Sequence, residues 1–308
     1  MDSKTEVFDY FLPFELASKI IKALGFWHDQ NSSILYCIYG AILHLTVIEL
    51  LWILQIVFLF TIADNVKDLS FVLGGLITYT AISFKTLFFV YQLPKIKKLL
   101  QMLKDLHYLT KSEQNSGNMK LKYQVTRIHK VFKIFLSICV LIALPGINLL
   151  IFNYHKRELP YKLWIPIDYK HNDIYYWGVA FYIIIGPIFG ALIEATLDIF
   201  PVMFISIGTG LLQELCQRMK NITTEIEAIN DQPGPSHMKL TKFQTLKTEQ
   251  TQKEHLKELL KCIEIHQEIQ KFFVKTGEIF STMIFVQGMC CSINMCTTAY
   301  QLSVVSHI

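Results

Sequence analysis

The sequence has 308 residues, of which 52% are hydrophobic and only 18% are charged, and its mean hydropathy is +0.36. This composition lies outside the range of ordinary soluble domains and indicates a membrane protein. The formal net charge is only +4, and no run of basic residues interleaved with aromatic ones predicts a nucleic-acid surface.

Three apolar stretches in the first half of the chain are long enough to cross a bilayer as helices, which takes about 20 residues each. They are residues 35–62, 69–92 and 131–153. The preceding segment, 1–34, has no basic stretch followed by a short apolar core and a small-residue cleavage site. We therefore expect no cleaved signal peptide, and the first span directs the chain to the membrane.

The next apolar run, residues 174–215, is about twice as long as one span. Glu194 and Asp198 lie four residues apart on one helical face, which is costly in mid-membrane and cheaper near its surface. Apolar residues then recur every three or four positions from Phe200 to Ile222. We interpret the run as one span that continues as an amphipathic helix. With a last span at 276–305, the predicted fold is an all-α membrane bundle of five transmembrane helices.

The distribution of basic residues predicts the orientation. With a cytoplasmic N-terminus, segments 1–34, 93–130 and 211–271 carry 21 Lys and Arg residues, against 5 in the outer segments 63–68 and 154–173. Because short loops rich in Lys and Arg stay on the cytoplasmic side, this bias favours a cytoplasmic N-terminus.

The cytoplasmic segments carry apolar stripes of their own, which predict helices that extend below the membrane into a cytoplasmic layer. One stripe in 93–130 is Leu99, Leu100, Leu103, Leu106 and Leu109. Another in 216–275 is Leu256, Leu259, Leu260, Ile263, His266, Ile269 and Phe273. These stripes must bury against one another or against another subunit. Residues 230–252 have no periodicity and are predicted to be a mobile loop. The domain prediction is therefore a cytoplasmic segment 1–34, transmembrane helices 1–4 within 35–215, a cytoplasmic segment 216–275 and a fifth transmembrane helix at 276–305.

Sequence motifs for catalysis are missing: there is no Gly-rich phosphate loop, no nucleophile elbow and no metal-binding His pair. Cys290, Cys291 and Cys296 have no His or carboxylate at ligand spacing. The sequence therefore predicts no catalytic residue, no metal site and no cofactor.

Polar residues within the predicted spans are the remaining candidates for function. His44 and Glu49 are five residues apart and do not share one face of an α-helix well, so a relay and a hydrogen bond to a neighbouring helix both stay open. Lys85 lies toward the inner end of the second span, from which its side chain can extend the ammonium to the membrane surface. Gly186 and Pro187 interrupt the fourth helix, and their kink either opens a cavity or serves packing.

The outer loop 154–173 is unusually aromatic for a connection. The outer ends of helices 2, 3 and 4 converge on it, and would form an apolar and aromatic pocket with few polar groups, suited to a small, uncharged, lipophilic ligand. The predicted ligand-binding residues are Phe71, Tyr79, Ile147, Leu150, Tyr176 and Phe181, and the predicted lid residues are Pro160, Trp164, Pro166 and Asp168. An aromatic belt at the membrane surface is the alternative.

The stretches ELPYKLWIPIDY (158–169) and YYWG (175–178) resemble the loop between the third and fourth helices of the insect odorant receptor family. The likeness continues through TLDIFPVMFISIGTGLLQELCQRM, LLKCIEIHQEI and FVQGMCCSINMCTTAYQLS, and covers essentially the whole chain. It implies a multi-pass subunit of an odorant-gated cation channel in the plasma membrane of a sensory neuron dendrite. The ligand implied is a small hydrophobic odorant.

The same resemblance implies partners and a longer chain. Family members form hetero-tetramers with an odorant co-receptor subunit through a cytoplasmic helical layer, surrounded by membrane lipid. They have seven helices, so we expect this chain to be truncated after its fifth, as an incomplete gene model, an isoform or a pseudogene product. A gustatory receptor of the same superfamily is the second interpretation. A membrane transporter or enzyme would instead show an intramembrane cluster of His, Cys or carboxylates, or an inverted repeat.

Overall fold

The computed structural model describes residues 11–28, 32–61, 66–110, 118–152, 157, 159, 161, 163–230 and 242–306. Its helices are α1 (Leu12–Ala23), α2 (Ile34–His44), α3 (Leu50–Thr61), α4 (Val66–Thr110), α5 (Asn118–Phe152), α6 (Asp173–Asn230) and α7 (Lys242–Ser306). A π-helical turn, Leu45–Glu49, joins α2 to α3. Regular secondary structure in the described ranges is entirely helical, which confirms the all-α prediction.

Among the described residues, four stretches of helix are long and apolar enough to cross a membrane: Ile34–Thr61, Val72–Thr110, Asp173–Ile226 and Lys253–Ser303. They overlap the first, second, fourth and fifth predicted spans. Helix α5 covers the third predicted span, but most side chains in its apolar half lie outside the described part of the chain. That span therefore stays a prediction.

Helix α7 begins earlier than the sequence predicted. Residues 242–252 are helical, whereas a mobile loop was expected over 230–252. This stretch lacks a hydrophobic period, but it is continuous with the amphipathic helix that follows, and extending an existing helix adds one hydrogen bond per residue. Residues 231–241 of the predicted loop lie outside the described residues.

Packing divides the chain into two units. Unit A contains Lys95–Ile128 and Pro201–Glu278, and unit B contains Leu12–Pro94, His129–Phe200 and Ile279–Ile308. Helices α4, α5, α6 and α7 each contribute residues to both units.

In unit A, the face of α7 that packs within the chain shares only Ile269 with the predicted stripe. The buried residues are Cys262, Ile265, Ile269 and Phe272. Most of the predicted stripe is exposed, at Leu256, Leu259, Leu260 and Ile263. Phe272 meets Phe204 of α6 with ring centroids 6.1 Å apart. Because α7 is apolar on two faces, spacing along the chain could not show which face meets the neighbouring helices.

In unit B, the N-terminal segment contributes a packed helix that the sequence analysis did not identify. Phe14 of α1 and Trp27 lie against Phe200 of α6, with ring centroids 6.0 and 6.3 Å away. Phe89 of α4 meets the same ring at 5.2 Å. Aromatic pairs at these separations add to the apolar burial, so α1 is part of the core of unit B.

The turn after α1 brings two glycines into contact. Gly25 has a φ of +80°, and a Cβ on it would lie 2.4 Å from Gly40 Cα. The backbones of α1 and α2 can approach this closely only without side chains at both positions. The phenols of Tyr36 and Tyr39 donate hydrogen bonds to the carbonyls of Lys22 and Ala23, at 2.8 and 2.9 Å. They thereby satisfy carbonyls at the C-terminus of α1.

Candidate functional site

A cavity of about 460 Å³ lies within unit B. Its apolar and small lining residues are Leu51, Val72, Gly74, Gly75, Tyr79, Ile82, Leu163, Ile183, Pro187, Gly190 and Ala191. Its polar lining residues are Gln55, Thr78, Tyr161, Glu194, Asn294, Thr297, Thr298 and Gln301. The volume falls in the range of sites for small organic ligands.

The cavity is long for its volume. Helix α4 lines it from Val72 to Ile82, and α6 lines it from Ile183 to Glu194. At a rise of 1.5 Å per residue, each helix covers about 15 Å of the wall. The shape therefore suits an elongated ligand.

Gly186 and Pro187, the predicted interruption in α6, serve both packing and the cavity. A Cβ on Gly186 would lie 2.2 Å from Leu51 Cδ1, so the glycine allows α6 to approach α3. Pro187 lines the cavity. Nearby, the Tyr182 hydroxyl donates a 2.6 Å hydrogen bond to the Thr46 carbonyl in the π-helical turn, which ties α6 to that turn.

One wall of the cavity is more polar than predicted, because α7 places amide and hydroxyl groups on it. Thr78 Oγ1 donates to the Gly74 carbonyl at 2.9 Å and accepts from Asn294 Nδ2 at 3.1 Å. Gln55 is only 9% exposed, and its Oε1 has no hydrogen-bond partner within the described residues. The signal for this wall in the sequence is the presence of amides inside apolar runs, since polar groups within spans often mark binding sites.

A buried charge cluster lies at the Glu194 end of the cavity. Lys85 Nζ is 3.1 Å from Glu194 Oε1 and 2.8 Å from Asp198 Oδ1, and the Lys85 side chain is fully buried. The Lys85 ammonium is thus paired within the protein, where a buried charge is stabilised by its partners. The prediction that Glu194 and Asp198 share a face is confirmed, since both reach one ammonium.

His44 and Glu49 meet, contrary to the prediction from α-helical geometry. His44 Nε2 lies 3.0 Å from Glu49 Oε1, because residues 45–49 form the π-helical turn. In that geometry, residues five apart lie on one face. Ser83 of α4 donates a hydrogen bond to Glu49 Oε1. The hydrogen bond to a neighbouring helix is therefore present, and the relay stays a prediction.

The aromatic loop contributes two residues to the cavity wall, Tyr161 and Leu163. Behind them, Tyr176 is fully buried and packs with Leu159 and Tyr169. Burial raises the pKa of the Tyr169 phenol above its usual value. The loop thus has its own small core.

Of the predicted lid residues, Trp164, Pro166 and Asp168 are exposed. Trp164 is 39% exposed, and Pro166 is exposed as well. Asp168 is exposed and lies 2.7 Å from His171 Nδ1. Pro160 lies outside the described residues.

The structure separates the predicted ligand-binding residues. Tyr79 lines the cavity, and Tyr176 is buried in the loop core. Phe181 is 68% exposed and is not a lining residue, because it lies two positions, about 200° around the helix, from Ile183 on the cavity face. Phe71 belongs to α4, and Ile147 and Leu150 belong to α5, with side chains outside the described part. Within the described residues, no cluster of His, Cys, Asp and Glu could hold a metal ion.

Comparison with known proteins finds odorant receptors, both by family profile and by sequence identity. The profile of the family "7tm Odorant receptor" matches residues 65–308. Odorant receptor Or1 of Anopheles gambiae is 23% identical over 316 residues, covering 98% of this chain and 72% of that protein. Odorant receptor 2a of Drosophila melanogaster is 23% identical over 273 residues, covering 87% of this chain and 64% of that protein.

Solved structures share the fold. The insect olfactory receptor OR5 of Machilis hrabei superposes with a TM-score of 0.65 at 13% identity, covering 95% of this chain and 72% of that receptor. The same receptor in complex with eugenol gives a TM-score of 0.64 at 14% identity, covering 96% and 72%. Such low identity establishes the fold alone. Because the family profile covers most of the sequence, the chain belongs to the seven-transmembrane odorant receptor family, which points to a receptor rather than an enzyme.

Proposed function

We propose that this chain is an odorant receptor subunit that binds small lipophilic odorants in the cavity of unit B. The main support is the cavity of about 460 Å³, which lies among the helices of a chain from the odorant receptor family. OR5 of Machilis hrabei, a receptor of the same fold, has been solved in complex with eugenol. We extend the binding of a small organic molecule to this chain, and we assign it to the cavity of unit B.

The roles of the residues follow from their positions. Tyr79 forms part of the cavity wall, while Phe71, Ile147 and Leu150 are proposed as ligand-binding residues on the sequence alone. Tyr176 supports the loop from within, and Pro160, Trp164, Pro166 and Asp168 shape the loop as a lid. Phe181 is left out of this site because its exposed side chain is on the other side of α6.

The proposed topology places the N-terminus in the cytoplasm, in the plasma membrane of a sensory neuron. Segments 1–34, 93–130 and 216–275 lie on the cytoplasmic side, and loop 154–173 lies outside. The support is the excess of Lys and Arg in the cytoplasmic segments.

The proposed assembly is a hetero-tetramer with an odorant co-receptor subunit, surrounded by lipid, which opens as a cation channel when an odorant binds. Its support in unit A is the exposed apolar stripe of α7, at Leu256, Leu259, Leu260 and Ile263. The proposed topology places this stripe in water, where an exposed apolar patch indicates a surface that another protein covers.

The experiment that tests the site measures displacement of a fluorescent apolar probe from the purified chain in lipid nanodiscs by a panel of odorants. Replacing Tyr79 by Ala removes part of the wall, and we expect affinity for the best odorant to fall by about tenfold. The matched control is Tyr91→Ala, because Tyr91 lies on the same helix, is 76% exposed and does not line the cavity. Equal affinities in both variants would remove the cavity from the proposal.

A further inference from the structure

Several side chains in the cavity wall present hydrogen-bond acceptors that the protein itself does not fully use, and Gln55 and Glu194 are two of them. Gln55 is 9% exposed, and its Oε1 has no hydrogen-bond partner within the described residues. A buried acceptor without a partner is costly, and in native structures such a group usually meets a ligand or a water molecule. Gln55 lines the cavity, so a ligand there is the natural partner.

Glu194 is the second acceptor, supplied by α6. Its Oε1 accepts from Lys85 Nζ at 3.1 Å, while the same ammonium donates to Asp198 Oδ1 at 2.8 Å. One ammonium thus faces two carboxylates, and the cluster keeps more acceptor capacity than Lys85 can fill. An ionised carboxylate accepts hydrogen bonds and donates none.

These two groups point to the same ligand chemistry, although they come from different helices. Apolar residues of α4 and α6, among them Ile82 and Ile183, form much of the remaining wall. The cavity is therefore matched to an elongated molecule with an apolar body and a polar group. Neither acceptor is satisfied by an ether, an ester or a hydrocarbon, since these groups donate no hydrogen bond.

We propose that this cavity selects ligands that carry a hydrogen-bond-donating group, a hydroxyl or an ammonium, and that Glu194 and Gln55 are the acceptors that recognise it. The inference rests on the proposed function, because it names the ligand class of the same cavity. A site built around polar acceptors rejects an analogue without the donor strongly, since the analogue leaves the acceptors unpaired.

The test measures the affinity of the full chain in lipid nanodiscs for four ligands of equal size: 1-octanol, heptyl methyl ether, nonane and octylamine. Heptyl methyl ether is an isomer of 1-octanol that lacks the donor, nonane lacks the polar atom, and octylamine carries an ammonium. We expect 1-octanol, octylamine or both to bind about tenfold more tightly than the ether. A larger loss for octylamine than for 1-octanol in Glu194→Gln identifies a cationic ligand, and equal losses identify a neutral one.

Four variants assign the acceptors. Gln55→Met removes one acceptor of the cavity, whereas Glu194→Gln removes the charge and replaces one of the two carboxylate oxygens by an amide donor. The preference for the donor falls to near one in at least one of these variants. Asp198→Asn is the control for Glu194, because Asp198 also pairs with Lys85 but does not line the cavity. Gln92→Met is the control for Gln55: Gln92 is 7% exposed, its Oε1 lacks a partner within the described residues, and it lies outside the cavity wall. Both controls retain the preference.

Several results would overturn the inference. If the unaltered chain binds 1-octanol and heptyl methyl ether with nearly equal affinity, the inference is wrong but the proposed function stands. A preference that survives in both acceptor variants, or that falls equally in Asp198→Asn and Glu194→Gln, removes the assignment of the acceptors. Failure of all four ligands and of the wider odorant panel to bind removes the proposed function as well.

Discussion

His44 and Glu49 are separated by five residues, and their side chains meet at 3.0 Å because the chain between them forms a π-helical turn. The turn also exposes the Thr46 carbonyl to the Tyr182 hydroxyl of α6. Leu51 and Gln55, which follow the turn on α3, line the cavity. The altered helical register therefore determines which residues of α3 face the ligand cavity.

The hydrogen bond from Ser83 to Glu49 should stabilise this turn. Ser83→Ala removes a donor to a partly buried carboxylate, and we expect the free energy of unfolding to fall by about 1–3 kcal/mol. Thermal unfolding in detergent measures this. Ser292→Ala is the control, because the Ser292 hydroxyl is exposed and bonds only to its own helix at Gly288. Equal melting temperatures for both variants would argue against the role of Ser83.

Lys85 should be among the residues of unit B most sensitive to loss of charge. Lys85→Met leaves Glu194 and Asp198 without their counter-charge, and we expect a loss of about 3–5 kcal/mol in unfolding free energy. Adding Glu194→Gln and Asp198→Asn should restore most of it, because the uncompensated charges are then gone. Lys271→Met, which breaks an exposed pair with Glu268, should cost less than about 1 kcal/mol. Failure of the triple variant to recover would contradict the electrostatic explanation.

Substitution by alanine should have opposite effects on stability at two helical glycines, Gly40 and Gly288. Gly40 lies in close contact with Gly25, whereas Gly288 has open space around it. A Cβ on Gly40 would lie 2.3 Å from the Gly25 carbonyl oxygen, so Gly40→Ala forces α1 and α2 apart, and we expect a loss of about 1–3 kcal/mol. Gly288→Ala meets nothing within 4 Å and should stabilise α7 by about 0.5–1 kcal/mol. Thermal unfolding of the two variants side by side is the measurement. A stabilising Gly40→Ala would show that the helices do not make this contact.

Tyr161 should slow dissociation of the ligand more than Trp164, its neighbour in the loop, does. Tyr161 lines the cavity, so Tyr161→Ala opens the wall, and we expect the ligand to dissociate about fivefold faster with little change in its association rate. Trp164→Ala is the matched control, because both side chains are 39% exposed and Trp164 does not line the cavity. Stopped-flow displacement measures both rates. Equal rates in the two variants would assign retention to the loop as a whole.

The sequence by itself determined the features that depend on local chain chemistry. Apolar runs of sufficient length predicted the membrane helices, because a bilayer sets the length that a helix must span. The spacing of Glu194 and Asp198 predicted their common face, since 3.6 residues per turn holds for any α-helix. Counting along the second predicted span likewise selected Tyr79, and the structure places it in the cavity wall.

Only the tertiary structure decided which groups meet across the bundle. Lys85 pairs with residues 109 and 113 positions away. A pattern local to its own helix could only suggest that its side chain faces solvent or lipid. The buried face of α7 and the polar cavity wall depended on which neighbours those helices pack against. The π-helical turn depended on bonds to Ser83 and Tyr182, both distant in sequence. Periodicity describes the surface of one helix, whereas partners are selected by the combined packing of several, and this is why the charge cluster and the acceptors of the cavity emerged only with the fold.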